Sequence, residues 1–252
     1  MFYPGEREVL LDAVDGYIAA AHVKRTPPKA LIGPHAGYEY SGPIAGTAYR
    51  TLHDARERIT RVIALGPSHR LDFEGIAASY APAFETPLGS VPTDEDATAL
   101  LLKQRLVKQF EAAHVREHSI EVHIPFLQRT LSHFTIVPLV VGSVMPDVID
   151  ELLEAVWGGP ETLIVISSDL SHYLDYESAQ RIDALTSRAI EALQPDEIGF
   201  DQACGRLPIQ GLLLAAKRRG MTAEAIDVRN SGDTAGTRDS VVGYGAYVFH
   251  EA

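Results

Sequence analysis

Ala30-Leu31-Ile32-Gly33-Pro34-His35-Ala36-Gly37-Tyr38-Glu39-Tyr40-Ser41-Gly42 is the stretch on which the fold turns. A short apolar run meets a Gly/Pro turn, and the small-residue segment Ile44 to Tyr49 follows. That order reads as a buried strand from Lys29 to Gly33, a tight turn, and a helix reaching about Leu52. A histidine-bearing turn after an apolar strand falls where α/β folds place their chemistry, at the carboxyl ends of strands. Taken by itself, His35 is equally well explained as a residue that satisfies the turn.

The pattern recurs. Arg61-Val62-Ile63-Ala64-Leu65 is a second apolar run and ends in Gly66-Pro67-Ser68-His69-Arg70. Thr162-Leu163-Ile164-Val165-Ile166 is another and ends in Ser167-Ser168-Asp169-Leu170-Ser171-His172-Tyr173. Further strands are expected at 73–78, 134–141, 224–228 and 240–249. Helices are expected at 6–22, 94–108, 146–157, 176–193 and 208–219, with another running through Phe126 and Leu127 to Leu131. Alternating strands and helices predict an α/β fold: a single domain over 1–252, with a central mostly parallel or mixed sheet flanked by helices. In such a sheet the ends of parallel strands share one edge, so the loops carrying His35, His69 and His172 can converge.

Composition narrows the classes of function. The 252 residues are 46% hydrophobic and 22% charged, ordinary for a globular chain with a sizeable core. The formal net charge of −12 would repel a polyanion over most of the surface, which argues against nucleic acid or an anionic membrane as partner. Lys217-Arg218-Arg219 is the one basic run of note, and it reads as complementing a helix C-terminus. A single cysteine, Cys204, forbids an intrachain disulfide and suits a reducing compartment. The start Met1-Phe2-Tyr3-Pro4-Gly5-Glu6 lacks the pattern of a secretion leader, and no apolar run approaches a membrane span. The expected location is therefore cytoplasmic.

Two neutral imidazoles with an anionic ligand make a typical first-row metal site. Cys204 lies just before an expected helix start, where free N–H groups and Arg206 would favour the thiolate. Asp169, three residues before His172, could orient an imidazole, bind a metal, act as a general base, or cap the next turn. The segment Glu117-His118-Ser119-Ile120-Glu121-Val122-His123 is not a zinc-protease helix motif, because histidines five apart lie about 140° apart around a helix. His118 and Glu121 are candidates for supporting the site, as is Tyr38. His22, His53, His114, His133 and His250 have no partner pattern and are expected on the surface or satisfied in the core. Ser68 lacks the nucleophile-elbow context, and no glycine cluster has the spacing of a phosphate loop.

Six motifs in this order carry a resemblance over nearly the whole chain. They are Pro34-His35-Ala36-Gly37-Tyr38, Leu65-Gly66-Pro67-Ser68-His69, the Glu117–His123 segment, Ser167–Tyr173, Cys204-Gly205-Arg206 and Asn230-Ser231-Gly232-Asp233-Thr234. Together they resemble the Memo family, whose bacterial and archaeal members are called AmmeMemoRadiSam system protein B. The resemblance implies a fold similar to class III extradiol dioxygenases. It implies His35, His69 and Cys204 as metal ligands, with Asp169 and His172 lining the same pocket. Iron(II) is the expected metal, with copper or zinc as alternatives. In the dioxygenases two histidines and a carboxylate hold iron; here Cys204 stands in the carboxylate position, and a softer thiolate changes metal preference and redox behaviour. The family name also suggests a functional link to a radical-SAM protein.

These observations support a non-haem iron-dependent oxidoreductase acting on an unidentified small molecule, with His172 as acid or base and Asp169 orienting it. The alternative is a non-catalytic protein that uses the same pocket to bind metal or a peptide, with Tyr38 and Tyr40 lining it. A cysteine-dependent hydrolase is a third and weaker reading.

Overall fold

The computed structural model describes residues 2–23 and 27–251, so Met1 of the leader reading lies outside the described residues. The elements in order are α1 (Arg7–Ala20), β1 (Ala30–Gly33), α2 (Tyr38–Arg50), β2 (Arg61–Pro67), β3 (Ile76–Ala78), β4 (Ala83–Thr86) and β5 (Gly89–Pro92). Next come α3 (Glu95–Lys103), β6 (Lys108–Gln109), α4 (Ile124–Thr130), β7 (Thr135–Val141), α5 (Pro146–Val156) and β8 (Thr162–Ser167). The chain ends with β9 (His172–Leu174), α6 (Tyr176–Glu191), α7 (Arg206–Arg218), β10 (Thr222–Asn230) and β11 (Val241–His250).

The main sheet runs β10-β11-β1-β8-β2-β7-β3-β6, with β9 added against β11. Its centre is parallel: β1 pairs with β8, β8 with β2, and β2 with β7. On either side the direction reverses, where β11 runs antiparallel to β1 and β3 antiparallel to β7. The sheet is thus mixed, as the alternation of elements predicts. Register aligns Gly33 with Ser167 and Leu65 with Ile166, which sets the carboxyl ends of β1, β8 and β2 side by side on one edge.

The central strands are apolar at nearly every position because both faces of the sheet are covered. Leu31, Val62, Ala64, Leu163 and Val165 pack with Leu10, Val14, Ile44, Tyr49 and Phe126 from α1, α2 and α4. Ile32, Ile63, Leu65, Ile164 and Ile166 pack on the other face with Leu101, Leu152, Ile190 and Leu212 from α3, α5, α6 and α7. At about 25 cal/mol per Å² of apolar area, these two layers supply the main drive to fold.

Three regions depart from the sequence expectation. The helix expected to reach Lys108 stops at Lys103, and Arg105 turns the chain with φ 61°. Lys108 and Gln109 then pair with Ala77 and Ala78 instead. The loop expected after β8 contains the short strand β9, captured by backbone pairing to β11. The β4–β5 hairpin, Ala83 on Pro92 through Thr86 on Gly89, lies in a Pro/Gly-rich region whose alternation is too short to read.

Candidate metal centre

His35 follows β1 by two residues and is buried. Its backbone N–H donates to Asp169 Oδ1 at 2.8 Å, and its Nδ1 lies 2.5 Å from Ser167 Oγ at the end of β8. Its Nε2 faces Cys204 Sγ at 3.3 Å. His69 follows β2 by two residues. Glu117 Oε2 accepts its backbone N–H at 2.6 Å, and Glu117 Oε1 stands 2.9 Å from Nδ1. The Glu117 carboxyl also accepts the N–H groups of His118 and Ser119 at 2.9 and 3.0 Å. Burial opposes its ionisation, but the hydrogen bonds from His69 and Ser119 outweigh that and hold its pKa at about 2. An ionised carboxylate only accepts, so His69 Nδ1 carries a proton, and in the neutral ring the lone pair is then on Nε2.

His118 completes a cluster. Ligand atoms of His35, His69 and His118 all lie within 4.8 Å of one another. The His118 ring stacks between Phe2 and His69, at centroid distances of 3.9 and 4.6 Å. Its Nδ1 is buried without a hydrogen-bond partner among the described residues; Glu117 Oε1 is 3.5 Å away, too far to bond. Burial lowers the pKa values of two of these imidazoles, His35 well below its ordinary range and His118 to about 4. These are neutral rings with lone pairs, the form that binds metal.

Cys204 abuts this cluster at His35. Its N–H donates to Asp169 O at 3.3 Å, and its sulfur accepts the Asp169 N–H at 3.2 Å. Gly205 permits the close approach, since a Cβ there would stand 2.5 Å from Ser167 O. Two donors on one first-row ion, each at roughly 2.0–2.3 Å, stand about 3–4 Å apart. The 3.3 Å between His35 Nε2 and Cys204 Sγ fits that spacing. The three imidazoles therefore form a group that could hold a transition metal, with the Cys204 thiol beside it at His35.

The sequence expects a thiol activated by Arg206 and the helix start. The structure corrects this. Burial, reinforced by the Asp169 carboxyl, pushes the Cys204 thiol up to about 12. Arg206 instead lies over the Phe200 ring at 5.6 Å and reaches Gln210 at 3.5 Å. Such a thiol loses its proton to a bound cation rather than to water.

Asp169 is also placed differently from the expectation. Its carboxyl receives the N–H groups of His35 and Ala36, and burial raises its pKa to about 7. It stands 3.9 Å from His35 Nε2. His172 is oriented instead by the carbonyl of Leu170, 2.8 Å from Nδ1. That bond puts the proton on Nδ1 and leaves Nε2 free, so the loop backbone orients this ring rather than Asp169.

Two clefts meet at Cys204. One, of about 350 Å³, is lined by Ser68, His69, Arg70, Ser143, Leu207 and Cys204. The other, of about 610 Å³, is lined by His172, Leu174, Ile182, Phe200, Ala203 and Cys204. Tyr38 is not on their walls; it is buried and donates to the carbonyl of Val122 at 2.7 Å, bracing the Glu117–His123 segment. Glu121 is exposed and accepts from Tyr3 at 2.6 Å. His22, His53 and His133 are exposed, while His114 reaches the carbonyl of Ala77 at 3.2 Å. Sequence reasoning gives no role to Glu117, Ser167 or His123. The one signal for them is the density of polar residues at a strand end and in 117–123, which does not say which ring each will meet.

A family model described as Memo-like protein matches residues 1–248. A MEMO1 family protein of Aquifex aeolicus is 36% identical over 259 residues, covering 98% of this chain and 96% of the relative. One from Sulfolobus acidocaldarius is 37% identical over 229 residues, covering 85% of this chain and 80% of the relative. The crystal structure of uncharacterized protein JW3007 from Escherichia coli K12 shares the fold at a TM-score of 0.51 and 13% identity, covering 87% of this chain and 98% of that one.

Proposed function

This chain belongs to the Memo family, and from that premise we propose that it is a metal-dependent oxidoreductase whose iron(II) is held by His35, His69 and Cys204. The observation that carries the reading is the meeting of imidazoles from adjacent strand ends with a partly buried thiol from the turn before α7, beside two clefts. Their donor set fits iron(II), with copper or zinc as competitors for the same soft ligands. When bound, iron supplies one-electron and oxygen chemistry that protein side chains lack.

The chain's own residues do the rest. His172, with Nδ1 held by the Leu170 carbonyl, presents Nε2 to take or give a proton in the larger cleft. Asp169 holds the His35 backbone in place through its N–H. Leu174, Ile182 and Phe200 exclude water from the body of a small organic substrate. A free-cysteine hydrolase fits less well, because burial pushes the thiol up to about 12 and also lowers the basicity of His35, the imidazole whose Nε2 lies 3.3 Å from it. Non-catalytic binding of a peptide or small molecule is the second reading. It is favoured by Tyr173 and Phe200, 78% and 81% exposed near the larger cleft.

The test is metal content after anaerobic purification. Wild type should carry about one iron per chain, lost in Cys204→Ala, and should consume oxygen with a substrate from a catechol and small-molecule panel. No metal after anaerobic loading would overturn the metal reading. Bound metal without turnover, and ligand binding unchanged in His172→Ala, would favour the binding reading.

A further inference from the structure

A chain of hydrogen bonds runs from His35 away from the clefts and into the core. His35 Nδ1 is 2.5 Å from Ser167 Oγ, and His123 Nε2 is 2.9 Å from that same oxygen. The Tyr49 hydroxyl is 2.8 Å from His123 Nδ1. Ser167 Oγ is also in close contact with the carbonyl of Ser119. All five residues are almost completely buried.

One fact determines every proton in this chain. A carbonyl oxygen can only accept, so the single Ser167 hydroxyl hydrogen goes to Ser119. Its two lone pairs must then accept from both imidazoles. His35 therefore carries its proton on Nδ1 and His123 on Nε2. His123 Nδ1 is left as an acceptor, and Tyr49 donates to it. The Ser167 hydroxyl is saturated and cannot turn to offer its proton to His35. Gly33 lets His123 close on this site, since a Cβ there would already stand 3.3 Å from His123 Cε1.

We infer that Ser167, locked by the Ser119 carbonyl and by His123 and Tyr49, is a positioning residue. It fixes His35 as the Nδ1–H tautomer and so directs the Nε2 lone pair at Cys204. The inference deepens the metal reading and rests on it for its purpose, but the tautomer itself is a property of the metal-free chain. Glu117 does the same for His69 with a buried, charged acceptor. Ser167 achieves it with a neutral group in the core, which adds no charge to a site that already holds a thiol and Asp169.

The experiment is nitrogen-15 NMR of histidine-labelled, metal-free protein, which reads the protonated nitrogen of each ring, paired with anaerobic zinc(II) and iron(II) titration against a competing chelator. Wild type should show His35 protonated on Nδ1 and His123 on Nε2. Ser167→Ala should mix the His35 tautomers and weaken metal binding by about 10–100-fold. His123→Gln, which keeps a donor toward Ser167, should retain the tautomer and bind metal within a few-fold of wild type. If Ser167→Ala does not fold, His123→Leu removes the second donor to the hydroxyl and should loosen the His35 ring in the same spectra. A wild-type His35 protonated on Nε2 would overturn the inference, as would a folded Ser167→Ala with the tautomer and affinity unchanged. Failure of wild type to bind either metal, with the tautomers as stated, would instead overturn the metal reading.

Discussion

At the scale of single residues, the site is built from rings whose outer nitrogens are assigned by what lies behind them. Glu117 shows the cost of disturbing this. Both its oxygens face N–H donors, from His69, His118 and Ser119. A Glu117→Gln side chain has the same shape but must point an NH₂ at one of those donors. An unmade buried hydrogen bond costs about 1–3 kcal/mol. The variant should unfold at lower temperature without metal, and it should bind iron(II) about 10–100-fold more weakly because His69 loses its anchor. Competition titration and thermal unfolding together check this. Wild-type affinity in Glu117→Gln would mean that His69 is held by the loop backbone instead. His35 and His69 are legible in the sequence because each follows an apolar run and a Gly-Pro step. Their supports are not. Ser167 and Ser119 are 48 positions apart, and His123 meets Tyr49 across 74, so only the fold creates these pairs.

At the scale of elements, the sequence is most readable where a strand is buried on both faces or a helix carries a clear stripe. It is least readable where backbone pairing overrides propensity, as in β6 and β9. The start of α3 is legible: Asp94 caps it by accepting the Ala97 N–H at 2.9 Å. What the sequence does not reveal is that the same carboxylate takes the Arg61 guanidinium at 2.7 Å and the Thr135 hydroxyl at 3.2 Å, tying α3 to β2 and β7. Burial works against ionisation of Asp94, but the Ala97 N–H and Arg61 outweigh it and leave its pKa below the ordinary carboxylate range. The sign follows from linkage. A carboxyl whose pKa is depressed by folding stabilises above its unfolded pKa of about 4, and that contribution is lost as pH falls through the folded value. Loss of a helix N-cap costs about 0.5–2 kcal/mol. Asp94→Ala should therefore be less stable than wild type at pH 7, with the gap closing as pH falls below about 4. Denaturant unfolding across pH decides it; a gap that stays constant would mean packing, not charge, accounts for the loss.

At the scale of the whole molecule, the candidate site is a point where distant parts of the chain are fastened to one sheet edge. The order β1-β8-β2 sets three parallel strand ends side by side, and the turn before α7 brings Cys204 against the loop that follows β8. His35 and Cys204 are 169 positions apart in sequence. No unfolded chain holds such groups together, so a metal that uses them binds the folded state far more tightly than the unfolded one. Ligand at 100 times its Kd then adds about 2.7 kcal/mol to stability. For a chain of this size, 1 kcal/mol moves Tm by about 2–4 °C, so the expected rise is about 5–10 °C. Iron(II) added anaerobically should produce this rise in wild type, growing with the logarithm of free metal. The acidic surface, with its net charge of −12, supplies a competing explanation, because carboxylates bind divalent cations weakly wherever they cluster. Cys204→Ala separates the two. It leaves the surface charge untouched and removes one donor, so a specific site predicts a much smaller rise at the same free iron(II). Magnesium, which prefers oxygen ligands, should shift neither protein through this site. Equal shifts in wild type and Cys204→Ala would place the metal elsewhere and leave the thiol's burial beside His35 as a matter of packing.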